Sequence, residues 1–141
     1  MELKRLGLVL LLLVGACGDD DDDNGEEADI LGVGAQCSAD SDCYQESEDA
    51  GAADAASGIQ QSCLKQFRGG YCGVVDCGSD ADCPEASVCV AHSDGQNYCF
   101  RSCTDKPECN QHRSEENESN CSSNITRVDG GTSKACVPPP A

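Results

Sequence analysis

Tryptophan is absent from the 141 residues, aromatic side chains make up only 4% of them, and basic residues number 9 against 26 acidic ones. Too little positive charge is present to displace counterions from a polyanion, so nucleic acid is excluded as an expected partner. No two cysteines stand in C-x-x-C spacing, and only His92 and His112 could add imidazole ligands, which argues against zinc ribbons and thioredoxin-like redox sites. Neither G-x-S-x-G nor a pair of carboxylates in an apolar setting occurs, so no catalytic residue is assigned, no cofactor or metal is called for, and the chain is not expected to be an enzyme. The longest apolar run, Leu6 to Val14, is nine residues long, well short of the roughly 20 that cross a bilayer.

That run has a different use. Lys4 and Arg5 precede it and Gly15-Ala16-Cys17 follow it, the three-part layout of an export signal over residues 1–16. Val14-Gly15-Ala16-Cys17 resembles the lipobox of bacterial lipoproteins, in which small residues admit the backbone to the signal peptidase and the thiol receives diacylglycerol. The resemblance implies cleavage before Cys17, lipidation there (diacylglycerol, palmitate) and a membrane partner reached through that lipid. Gly18 after the lipidated residue implies sorting to the outer membrane, facing the periplasm or the cell surface.

Without Glu2, Lys4 and Arg5, the mature chain carries 25 acidic and 7 basic residues. Its first part, residues 17–32, includes the run Asp19 to Asp29 and reads as a lipidated, acidic, disordered tether. Asp20 to Gly25 fits the first half of a calcium loop, but Leu31 falls where the closing glutamate belongs, so a spacer is expected.

Only fourteen Leu, Ile, Val and Phe occur in the mature 125 residues, far below the roughly 20% needed to fold on a core alone. Twelve cysteines beyond Cys17 compensate. They fall into three sets of four within a cysteine-rich region at 33–137: Cys37, Cys43, Cys63, Cys72; Cys77, Cys83, Cys89, Cys99; and Cys103, Cys109, Cys121, Cys136. Export places them where disulfides persist, so six bridges are expected. Each set opens with two cysteines separated by five intervening residues and an acid directly before the second: Asp42, Asp82 and Glu108. The repeats span about 37–72, 77–99 and 103–136, followed by a Pro-rich tail at 138–141. Pairing stays open, because closure within the sets alone leaves about 27 arrangements.

Asp40 with Asp42 and Asp80 with Asp82 are expected to cap turns through backbone amides, calcium coordination being the competing use. Short strands are expected around Gly70–Val75, Ser87–Val90 and Asn97–Phe100, with Asp94-Gly95 as a hairpin turn. No sustained helical period occurs, although Ala50 to Ala56 could form a frayed turn. Asn117, Asn120 and Asn124 open glycosylation-like triplets that mark an exposed loop.

From Val75 to Cys109, the string Cys77, Asp80, Asp82-Cys83, Cys89, Tyr98-Cys99, Cys103, Cys109 resembles the cysteine-rich repeats of bacterial lipoproteins grouped with the Dickkopf N-terminal cysteine-rich domain. The chain lacks the adjacent cysteine pair of Dickkopf itself, so receptor binding is not carried over. The resemblance implies a secreted binding module. The expected fold is small, disulfide-rich and mostly irregular, with short β-hairpins in three four-cysteine repeats. The expected role is a membrane-anchored binding or structural module of the envelope with an unidentified protein partner; the alternatives are a protease-inhibitor-like module and a calcium-dependent adhesion module.

Overall fold

A computed structural model of the chain describes residues 32–43 and 59–141. The signal peptide, lipobox, acidic run and Ala50–Ala56 turn expected from the sequence lie outside the described residues.

The fold is small and disulfide-rich, without long helices among the described residues. The described residues form seven short strands: β1 (Ser62–Cys63), β2 (Cys72–Gly73), β3 (Ser87–Ala91), β4 (Asn97–Cys103), β5 (Asn120–Ser122), β6 (Thr126–Arg127) and β7 (Lys134–Val137). β1 and β2 form one antiparallel pair, and the other five form a sheet in the order β5-β7-β4-β3-β6. Single turns of 3-10 helix at Asp40–Asp42, Asp80–Asp82 and Pro107–Asn110 lie between the first two cysteines of each set or end just past the second.

One unit is built three times. The third and fourth cysteines of each set face each other across an antiparallel pair: Cys63 opposite Cys72, Cys89 opposite Cys99, and Cys121 opposite Cys136. The first and second cysteines then reach those strands from the preceding turn, giving Cys37–Cys63 with Cys43–Cys72, Cys77–Cys89 with Cys83–Cys99, and Cys103–Cys121 with Cys109–Cys136. First-to-third bridges have Cα–Cα separations of 5.8, 5.9 and 5.9 Å, and second-to-fourth bridges 5.1, 5.4 and 5.3 Å. Each of these falls in the ordinary range for a disulfide. All six bridges stay inside their own repeat.

Between repeats the contacts are non-covalent apart from the chain itself. β4 serves both the second and third, carrying Cys99 and Cys103 on one strand and pairing with β3 on one edge and β7 on the other. The connector after β2 joins the first repeat to the same strand: Val75 bridges Tyr98, Cys99 donates to the Val74 carbonyl at 2.9 Å, and Asp76 to the Asn97 carbonyl at 2.9 Å. The Pro-rich tail returns to the first repeat, where Phe67 bridges Pro140, Arg68 donates to the Pro139 carbonyl at 2.9 Å and Ala141 to the Gln66 carbonyl at 3.0 Å. The three units thus close into a ring of contacts.

The few apolar side chains are pooled where the units meet. Val33, Leu64, Phe67, Tyr71, Val88, Val90, Tyr98, Phe100 and Ala135, drawn from all three repeats, form a single buried cluster. Phe67 meets Tyr71, Tyr98 and Phe100 edge-on at 6.3, 5.4 and 5.7 Å between ring centres, the arrangement favoured by aromatic quadrupoles. The two buried tyrosine hydroxyls of this cluster are partnered: Tyr71 accepts from the Arg101 amide at 3.1 Å, while Tyr98 donates to Asp94 at 2.8 Å and accepts from Gln66 at 2.9 Å.

Candidate functional site

The feature the sequence repeats is a clamp made from two acids. Asp42 Oδ2 accepts the Ser38 and Ala39 amides at 2.8 and 3.0 Å, and Asp82 Oδ2 accepts those of Gly78 and Ser79 at the same two distances. An acid placed immediately before the second cysteine folds the five-residue spacer into one turn by satisfying amides that a 3-10 turn leaves bare. Glu108, one methylene longer, takes the Thr104 amide at 2.8 Å and also its hydroxyl.

The other acid of each pair reaches across the unit. Asp40 Oδ1 accepts the Cys63 amide and Asp80 Oδ1 the Cys89 amide, both at 2.8 Å. In each case the donor is the third cysteine of the set, so the first acid fixes the strand to which the first cysteine is bridged. Asp80 also pairs with Arg127, which donates to Ser133 at 2.7 Å. In the third repeat Lys106 stands at the corresponding position and pairs with Glu118. There Asn110 holds the chain instead, accepting the Ser119 amide at 2.8 Å and donating to the Ser119 carbonyl at 3.0 Å. Capping is therefore what these acids do in the fold.

Asp42 and Glu108 carry a pH dependence. Hydrogen bonds from Ser38 and Ala39 hold the Asp42 carboxyl below its ordinary 3.8, and hydrogen bonds from the Thr104 hydroxyl and amide hold Glu108 below 4.5. Depressed carboxyl values favour the folded state above the unfolded-state pKa, and that contribution disappears as pH falls through the folded-state value. The melting temperature of the oxidised protein should therefore decline below about pH 4.5, and Asp42→Asn and Glu108→Gln should each flatten the decline. A melting temperature unchanged between about pH 6 and about pH 3 would contradict this role.

His92 lies edge-on to Phe67 at 5.4 Å, with Nδ1 3.1 Å from an Asp94 carboxylate oxygen. Its partners are thus hairpin and core groups, and His112 is exposed. Asp94-Gly95 does occupy the turn between β3 and β4, with Gly95 in the left-handed region at φ 91°. Of the glycosylation-like positions, Asn120 and Asn124 are exposed, whereas Asn117 donates to Gln36 and Ser114 at 3.1 and 3.0 Å.

Sequence reasoning missed Arg113. Its buried guanidinium donates to the carbonyls of Asn117 at 2.6 Å, Gly34 at 3.1 Å, Gly70 at 2.9 Å and Arg68 at 2.8 Å, and it lies 5.6 Å from the centre of the Tyr71 ring. Burial lowers its affinity for the proton, yet the carbonyl oxygens and the ring face give the charge a partly satisfied environment. A lone arginine in the polar stretch Gln111-His112-Arg113-Ser114 offers no pattern by which this staple could be found.

Among the described residues, the groups of cysteines close enough to share a metal ion are all members of the disulfides, so their thiolates are not free as ligands. No protein-family model, curated protein or solved structure matches the chain.

Proposed function

We propose that the chain is an extracytoplasmic lipoprotein, anchored through Cys17, whose cross-linked three-repeat region acts as a binding or structural module of the cell envelope and not as an enzyme. The observation that carries this reading is the cysteine account. Six disulfides use twelve of the thirteen cysteines, and the remaining one is Cys17, directly after Val14-Gly15-Ala16. A thiol left out of the cross-linked region, behind an apolar run and two small residues, suits lipid attachment. Gly18 favours the outer membrane, and the likeness to the Dickkopf N-terminal group favours protein binding over catalysis. Calcium-dependent adhesion is the weaker use of the repeat acids, since Asp40 and Asp80 already hold the Cys63 and Cys89 amides.

Three acyl chains at about 0.8 kcal/mol per buried methylene exceed what stable membrane attachment requires. Cys17→Ser should therefore move the protein from the membrane to the soluble fraction and abolish incorporation of labelled fatty acid. Membrane retention of that variant, or fatty acid found elsewhere in the chain, would refute the anchoring.

A further inference from the structure

We infer that the first repeat is an independently opening unit, latched to the other two by Arg113 and the Pro-rich tail, and that it swings away with all six disulfides intact. Covalent cross-linking is strong within each repeat and limited to the peptide chain between them: every bridge joins cysteines of one set. The two seams between units differ in kind. The second and third repeats share β4 and cannot part without tearing a strand from the five-stranded sheet.

The first repeat shares no strand with them: it is joined by hydrogen bonds along the 74–76 connector, by the tail at Gln66 to Arg68, by the Tyr71–Arg101 and Gln66–Tyr98 hydrogen bonds within the aromatic cluster, and by the staple around Arg113. Gln36 adds a polar contact to the same side, its amide donating to the His112 carbonyl at 3.1 Å and its side chain accepting from Ser114 and Asn117. The guanidinium belongs to the third repeat, and three of its four carbonyl partners belong to the first repeat or the segment leading into it. It is therefore a latch across the seam. Opening there would uncover the aromatic cluster, with Phe67 and Tyr71 on the moving unit and Tyr98 and Phe100 on the fixed one. Local openings of contiguous units below the global unfolding energy are a general property of folded proteins.

The test is native-state hydrogen exchange on the oxidised full-length protein. Amides whose acceptors lie across the seam, those of Gln36, Arg68, Asp76 and Ala141, should exchange together and faster than Cys63 and Leu64, which are bonded within the first repeat to Asp40 and to the Tyr71 carbonyl. Cys89, bonded to Asp80 within the second repeat, should be as slow as those two or slower. Arg113→Ala should accelerate the seam amides at least tenfold and leave Cys63, Leu64 and Cys89 unchanged. Arg113→Lys, which keeps the charge and loses the planar fork, should fall between. Seam and internal amides of the first repeat exchanging at one common rate in the unmodified protein would overturn the inference, whether or not the variants fold. So would seam rates unaffected by Arg113→Ala.

Discussion

Reduction of the mature protein should unfold it completely, with loss of chemical-shift dispersion and of near-ultraviolet circular dichroism, while a chelator leaves both signals intact. The bridges close chain separations of 26, 29, 12, 16, 18 and 27 residues. In the chain-entropy account, loops of this size are worth about 3 kcal/mol each through restriction of the unfolded chain. Net domain stability is typically about 5 to 15 kcal/mol, so the loss of even half the bridges exceeds what a single modest apolar cluster can sustain. A metal-held fold would show the reverse sensitivity, denatured by chelator and indifferent to mild reductant. Persistence of native dispersion after full reduction would show that the aromatic cluster, and not cross-linking, holds the chain together.

Gly70→Ala is the single substitution with the largest expected cost. Gly70 has φ 70°, in the left-handed region, and a Cβ there would lie 2.2 Å from the Cys37 carbonyl oxygen, 2.7 Å from Cys37 Sγ and 2.9 Å from Cys63 Sγ. The conformation alone costs an L-residue about 1 to 2 kcal/mol. Backbone and disulfide atoms cannot swing aside as a flexible side chain would, and the Gly70 carbonyl is also an acceptor for Arg113. The total should reach about 3 to 5 kcal/mol, with the Cys37–Cys63 bridge closing poorly or not at all. Gly130→Ala is the matched control, since φ is 75° there but nothing lies within 4 Å of the added carbon. It should cost only the conformational part. Equal destabilisation of the two variants would show that the packing of Gly70 against the first disulfide does not matter.

Much of the unit was legible because its signals are local. The five-residue spacing and the acid before the second cysteine point to a capped turn, and Asp42, Asp82 and Glu108 cap it through amides three or four residues away. The hairpin at Asp94-Gly95 was equally local. The bridge pairing was not legible, because it depends on register: only when Cys63 faces Cys72, and Cys89 faces Cys99, do the first two cysteines meet the third and fourth in that order. The second use of Asp40 was hidden for the same reason, its partner amide lying 23 residues away. Composition correctly marked the apolar supply as meagre, but it could not show that four of the five aromatic residues gather where the repeats meet. The tail reads as an appendage, because proline signals stiffness and says nothing of the backbone edge at Phe67 that its carbonyls find.

The central claim is that three internally cross-linked units make up the fold, and proteolytic mapping of its disulfides without reduction tests it most directly. Digestion of the oxidised mature protein followed by mass spectrometry should recover Cys37–Cys63, Cys43–Cys72, Cys77–Cys89, Cys83–Cys99, Cys103–Cys121 and Cys109–Cys136, with no free thiol among these twelve. A bridge joining cysteines of different sets, a first-to-second or first-to-fourth pairing within a set, or an alkylatable thiol in freshly isolated protein would contradict it.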